Sequence, residues 1–105
     1  MRHHNGRPDV AAIKEAINPH DFYLRELGLD RYGYRSASWA VAGLCPFHDD
    51  AKQGSFKINQ DTGSFKCFSC GAKGGDIVAF LQQRDDLDFI EALKKISLEW
   101  EVRSC

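Results

Sequence analysis

Residues 45–71 read CPFHDDAKQGSFKINQDTGSFKCFSCG. Cys45-Pro46-Phe47-His48 offers two metal-binding side chains three positions apart, and Cys67-Phe68-Ser69-Cys70 offers two more at the same step after eighteen intervening residues. A Cys-x-x-Cys or Cys-x-x-His step turns the backbone sharply, so both side chains can face one ion. Two such knuckles joined by a hairpin bring four donors into a tetrahedron, the geometry that zinc requires. Gly71 after the second pair suits a turn that needs positive φ. Thiolate and imidazole donors favour zinc over magnesium or calcium. An isolated Cys-x-x-Cys also fits a redox pair, but such a pair sits between a strand and a helix of a βαβ unit. Here the strand before Cys67 is half of a hairpin and a partner knuckle is present. The expectation is one zinc held by Cys45, His48, Cys67 and Cys70. Four protein donors leave no open position, so the zinc is structural.

Outward from the knuckles, residue patterning predicts an α+β fold: a small zinc ribbon whose antiparallel sheet of three or more strands is flanked by N-terminal and C-terminal helices. Residues 38–42 read as a strand leading into Cys45. Phe56 and Ile58 alternate with polar neighbours, Gln60-Asp61-Thr62-Gly63 forms a turn, and residues 64–68 return as the second arm of the hairpin. Upstream, Val10, Ile13 and Ile17 have helical spacing. Asn18-Pro19 ends that helix and starts another, with Phe22, Tyr23 and Leu27 on its apolar side and Gly28 as its stop. A turn is expected over residues 31–36.

Downstream, the 71–75 stretch precedes a helix capped by Asp76 and carrying Ile77, Val78, Phe80 and Leu81. Asp88 caps a last helix whose stripe of Phe89, Ile90, Leu93, Ile96 and Trp100 is expected to pack under the sheet. The chain thus divides into a polar lead-in (1–8), N-terminal helices (9–35), the ribbon (36–75) and C-terminal helices (76–102), all one zinc-binding domain.

Composition bounds the function. The chain has 105 residues, 43% hydrophobic and 28% charged, with formal net charge −1. This size supports a modest core rather than an enzyme with a deep cleft. No apolar run approaches the ~20 residues of a membrane span, and the MRHHNGRPD start carries no secretion signal. A cytoplasmic location is expected, in which cysteines serve as metal ligands or free thiols before disulfides. His3 and His4 read as a solvated terminus, Cys105 as a free thiol, and His20 as a surface residue rather than a ligand. The charge is uneven: residues 1–44 and 45–75 are each +1, whereas 76–105 are −3.

The Cys-Pro-Phe-His and Cys-Phe-Ser-Cys-Gly knuckles, with Ser55-Phe56 between them and Gly74-Gly75-Asp76 before a helix, resemble the N-terminal zinc-binding domain of bacterial-type DNA primases. The resemblance covers residues 36–98. It implies a Cys-His-Cys-Cys zinc ribbon that contacts single-stranded template and helps a polymerase domain begin an RNA primer. Two departures stand out: Gly54 occupies a position where replicative primases commonly have proline, and the loop from His48 to Ser55 is one residue longer. The polymerase and helicase-contacting domains of the family have no counterpart here, so the chain looks like a short single-domain relative of mobile elements or an excised domain.

Strand alternation places Lys57, Lys66 and Phe68 on the face opposite the core, with Arg35 and Lys73 as further candidates. Basic side chains and exposed rings together suit single-stranded nucleic acid. On the residues alone the lysines are better read as a solvated edge; the resemblance favours DNA. The expectation is a zinc-ribbon module that binds single-stranded DNA and works with a primase/polymerase or helicase polypeptide, without catalysis of its own or any membrane partner. The alternative is a zinc-stabilised adaptor acting through its acidic C-terminal helices. An independent enzyme is least expected, because no paired nucleophile and base accompany the closed site.

Overall fold

A computed structural model describes residues 10–33, 35–48 and 54–101. The 1–8 lead-in with His3 and His4, most of the 49–54 loop, and the terminal stretch 102–105 with Cys105 lie outside the described residues.

Helices α1 (Val10–Ala16) and α2 (Pro19–Leu27) come first. Asn18 separates them and caps α2, its side chain accepting from the His20 backbone N–H at 2.8 Å. Pro19 then opens the helix, where its missing N–H costs nothing, and Gly28 closes it in the left-handed region at φ 66°.

Five strands follow: β1 (Arg35–Ser36), β2 (Trp39–Val41), β3 (Phe56–Asn59), β4 (Phe65–Cys67) and β5 (Lys73–Gly74). Each pairs antiparallel with its neighbour in the chain, giving the sheet order β1-β2-β3-β4-β5. Helices α3 (Ile77–Asp85) and α4 (Phe89–Glu99) complete the element order. Asp76 caps α3 by accepting from the Ala79 N–H, and Asp88 with Glu91 forms a reciprocal capping box on α4. Among the described residues no helix is long and apolar enough to cross a membrane.

Three sequence-based expectations need correction. Arg35 and Ser36 belong to a strand rather than a turn, because the reversal lies at Ala37-Ser38, with Ala37 left-handed at φ 56°. Lys73 and Gly74 form an edge strand where only a glycine-rich connection was expected. Helix α4 packs chiefly on α3 and α1 rather than under the sheet. Its Leu93 and Ile96 are buried, but Phe89 is 45% exposed and stands outside the packed stripe.

The core sits between the inner sheet face and the helices. Ala40, Ile58 and Phe65 face each other across β2–β4 on that side, and Phe56 pairs with Cys67. Phe80 of α3 is the hub. Its ring centroid lies 5.0 Å from Tyr23, 5.5 Å from Phe47 and Phe65, 6.0 Å from Phe22 and 6.4 Å from Phe56. The Tyr23 hydroxyl is buried but satisfied, donating to the Gly63 carbonyl at 2.6 Å. At the edge of the core, Arg84 bonds Glu26 and Asp85, and Lys95 bonds Asp85, each at 2.9–3.0 Å, tying α2, α3 and α4 together. Arg84 first, then Lys95, holds the Asp85 carboxyl down to about 2 against the opposing effect of burial.

Gly74 is required by a close approach. A Cβ there would lie 2.5 Å from Phe65 Cε1 and 3.0 Å from Ala79 Cβ, whereas one on Gly75 would meet nothing within 4 Å. Gly74→Ala is therefore expected to destabilise the zinc-loaded protein by about 1–3 kcal/mol through overpacking, and Gly75→Ala to change it far less. Urea unfolding midpoints of the two variants check this.

Candidate metal centre

Cys45 lies beyond β2, Cys67 ends β4, and the two turns that follow them bring His48 and Cys70 back toward them. Both turns have the same internal bond. The Phe47 N–H donates to Cys45 Sγ and the Cys70 N–H donates to Cys67 Sγ, each at 3.4 Å. Gly71 adopts φ 84° and its N–H reaches the Cys67 carbonyl at 2.9 Å, closing the second knuckle.

The donor atoms of Cys45, His48, Cys67 and Cys70 all lie within 4.8 Å of one another. Cys45 Sγ is 3.8 Å from Cys70 Sγ, and Cys67 Sγ is 3.9 Å from the His48 imidazole Nδ1. Zinc bonds of about 2.3 Å to sulfur and 2.0–2.1 Å to nitrogen give tetrahedral edges of about 3.8 and 3.6 Å. Three thiols and one imidazole at this spacing fit one structural Zn²⁺, with no fifth donor needed.

Cys45 and Cys67 are buried and Cys70 is exposed. Burial pushes the Cys45 thiol up to about 12, with its contacts to Cys67 and Cys70 adding to the rise against the lowering bond from the Phe47 N–H. Burial also acts upward on Cys67. There it is outweighed by the N–H groups of Cys70 and Ser69 and by the neighbouring thiols, so Cys67 is lowered. The two buried thiols thus have opposite tendencies, and a divalent cation bound there would hold all three cysteines as thiolates.

Phe47 couples this centre to the core. Lying between Cys45 and His48, it stacks on Phe65 at 5.5 Å with planes 23° apart and meets Phe80 edge-on at the same distance. The side chain between the ligand positions is thus a packing anchor.

On the other face of the sheet, Lys57 is directly opposite Lys66, and Lys66 is opposite Lys73. The three form one row across β3, β4 and β5. Phe68 is 62% exposed just beyond β4, with Lys57 Nζ 5.4 Å and Lys66 Nζ 4.8 Å from its ring centroid. Arg35 is set apart from this row. It pairs with Ala40, whose side chain faces the core, and its charge acts on Tyr32, on the other side of the sheet. Sequence reasoning missed Trp39, which pairs with Asn59 and shares the lysine face. Its alternation with buried Ala40 was the available signal. His20 is apart from the thiol cluster, beside Asp21 and the Tyr32 ring.

Residues 8–104 match the CHC2 zinc finger family. Over 89 residues the chain is 39% identical to a DNA primase of Mycolicibacterium smegmatis and 38% identical to one of Mycobacterium tuberculosis. Each match takes in 85% of this chain but 13% of the relative, so the chain spans about an eighth of those proteins. A DNA primase of Listeria monocytogenes is 45% identical over 56 residues, 53% of this chain and 9% of the relative. Among solved structures, the zinc-binding and RNA polymerase domains of the Aquifex aeolicus primase superpose with TM-score 0.62 at 26% identity. That match covers 90% of this chain and 22% of the other.

Proposed function

This chain belongs to the CHC2 zinc finger family, and on that premise we propose that it is a primase-type zinc ribbon that binds single-stranded DNA template and assists RNA primer synthesis. In this reading Cys45, His48, Cys67 and Cys70 hold the zinc, and catalysis belongs to a polymerase in the same or a separate polypeptide. The setting is cytoplasmic, as replication requires. A helicase is a further candidate partner.

The observation that carries the DNA-binding reading is the register of Lys57, Lys66 and Lys73 beside exposed Phe68. Lysines directly opposite each other on a sheet repel one another. A phosphate backbone laid across the row relieves that repulsion and releases counterions. The adaptor alternative has less to stand on. Asp85 is engaged by Arg84 and Lys95, Asp76 by Lys14, and Asp88 with Glu91 by helix capping, so much of the C-terminal acidity is used internally.

Fluorescence anisotropy with short labelled single strands tests this. Lys57→Glu and Lys66→Glu are expected to weaken binding at low salt. Loss of each phosphate contact should flatten the log K against log salt slope by about 0.7. Undiminished binding by both variants would overturn the assignment. Primer synthesis from ribonucleotides by this chain alone would overturn its non-catalytic part.

A further inference from the structure

Trp39 stands where two surface clefts meet. One, of about 250 Å³, is lined by Ser36, Trp39, Lys57 and Phe68. The other, of about 450 Å³, lies between Trp39 and the β4–β5 edge, with Lys66, Lys73 and the Gly74-Gly75 backbone on its walls. Trp39 is therefore flanked on one side by Lys57 and on the other by Lys66 and Lys73. Gly75, where a Cβ would meet nothing within 4 Å, carries no side chain to narrow the second cleft.

The two aromatic groups on this face, half-buried Trp39 and exposed Phe68, differ in readiness. Phe68 already has two ammonium groups near its ring, from Lys57 and Lys66. A cation over the ring face occupies the surface on which a base would stack. Among the described residues, no cation and no other ring lies against the Trp39 indole. A base stacking where these ammonium groups lie over Phe68 must displace them, whereas one arriving at Trp39 displaces neither.

We propose that Trp39 is the primary base-stacking platform of the single-strand site, with Phe68 exposed to a second base only after strand phosphates draw Lys57 and Lys66 from its ring. This rests on the single-strand reading above and adds to it an order of engagement and a base-dependent component of affinity. The ligand is a single strand with stackable bases, of any sequence, since every base presents a π-face. The lysine row supplies the component that depends on phosphates alone.

The experiment compares a labelled oligothymidylate with an abasic strand of equal length, using zinc-loaded protein. Trp39→Ala is expected to weaken oligothymidylate binding roughly 5- to 150-fold, the worth of one base–aromatic stack, and to leave abasic-strand affinity near that of the parent. Phe68→Ala should cost less, and Trp39→Phe should retain most of the base preference. The chain has two tryptophans, and Trp100 lies among the helices against Phe22 and Arg25. Quenching of intrinsic emission by oligothymidylate but not by the abasic strand therefore reports on Trp39 in the unmutated protein, even if Trp39→Ala folds poorly.

An unchanged base preference in Trp39→Ala, a larger loss in Phe68→Ala, or absent quenching overturns the proposal. If Lys57→Glu and Lys66→Glu still weaken binding in that case, the single-strand reading survives without it. If the unmutated protein binds neither strand, both fail.

Discussion

Removing zinc from the folded chain is expected to collapse its dispersed amide spectrum, in the helices as well as the ribbon. Strands of two to four residues cannot hold a sheet by themselves. Structural zinc in finger peptides contributes on the order of 10–16 kcal/mol of apparent binding energy at neutral pH, which matches or exceeds the whole stability of a typical domain, about 5–15 kcal/mol. Phe47, between two ligand positions, packs on Phe65 and Phe80. Release of the first knuckle therefore removes part of the aromatic core on which α2 and α3 rest. One zinc per chain by elemental analysis, and loss of dispersion on chelation or in Cys67→Ser, check the expectation. A well-dispersed apoprotein would contradict it.

Phe80→Ala is expected to cost about 3–5 kcal/mol, the range for deleting a large buried aromatic. The upper part of that range applies because the ring meets five other aromatic side chains drawn from α2, the first knuckle, β3 and β4. Collapse into the space would have to move the sheet and the helix together. Since metal binding and folding are coupled, the same loss should lower apparent zinc affinity by roughly 100-fold or more in a chelator competition. Urea unfolding of the zinc-loaded variant gives the stability directly. A cost below ~1 kcal/mol, or unchanged zinc affinity, would mean that the metal centre and the core are energetically separate.

Most of what was legible in the sequence rests on local stereochemistry. Asn18-Pro19, Gly28, Asp76 and Asp88 mark helix ends because each satisfies, or has no need to satisfy, a particular backbone group. The knuckles were legible for a similar reason: a three-residue step and a glycine encode a turn whatever surrounds it. The β3–β4 hairpin followed from alternation around Gln60–Gly63.

What escaped was decided by tertiary pairing. Lys73-Gly74 has little strand preference and is extended because β4 offers it an edge. Arg35 was grouped with the lysines by charge. Its face is set by the register against Ala40, which depends on where the Ala37-Ser38 reversal falls. One residue of slip exchanges the two faces of a strand, so such an assignment needs the pairing itself. Trp39 was passed over because an apolar ring in a short apolar strand reads as core, and only the pairing with Asn59 puts it on the lysine face.

The sheet order follows the order of synthesis. Each strand finds its partner next along the chain, across short connections except for the fourteen residues between β2 and β3. Loop-closure entropy is small for the short hairpins and larger for the contacts of α2 with α3 and α4. All four ligand positions, moreover, lie within residues 45–70, ahead of α3 and α4. The donors are thus brought together by two local turns and the strands between them, with no ligand drawn from α3 or α4. Phe47 carries that local unit into contact with α3, through the ring of Phe80.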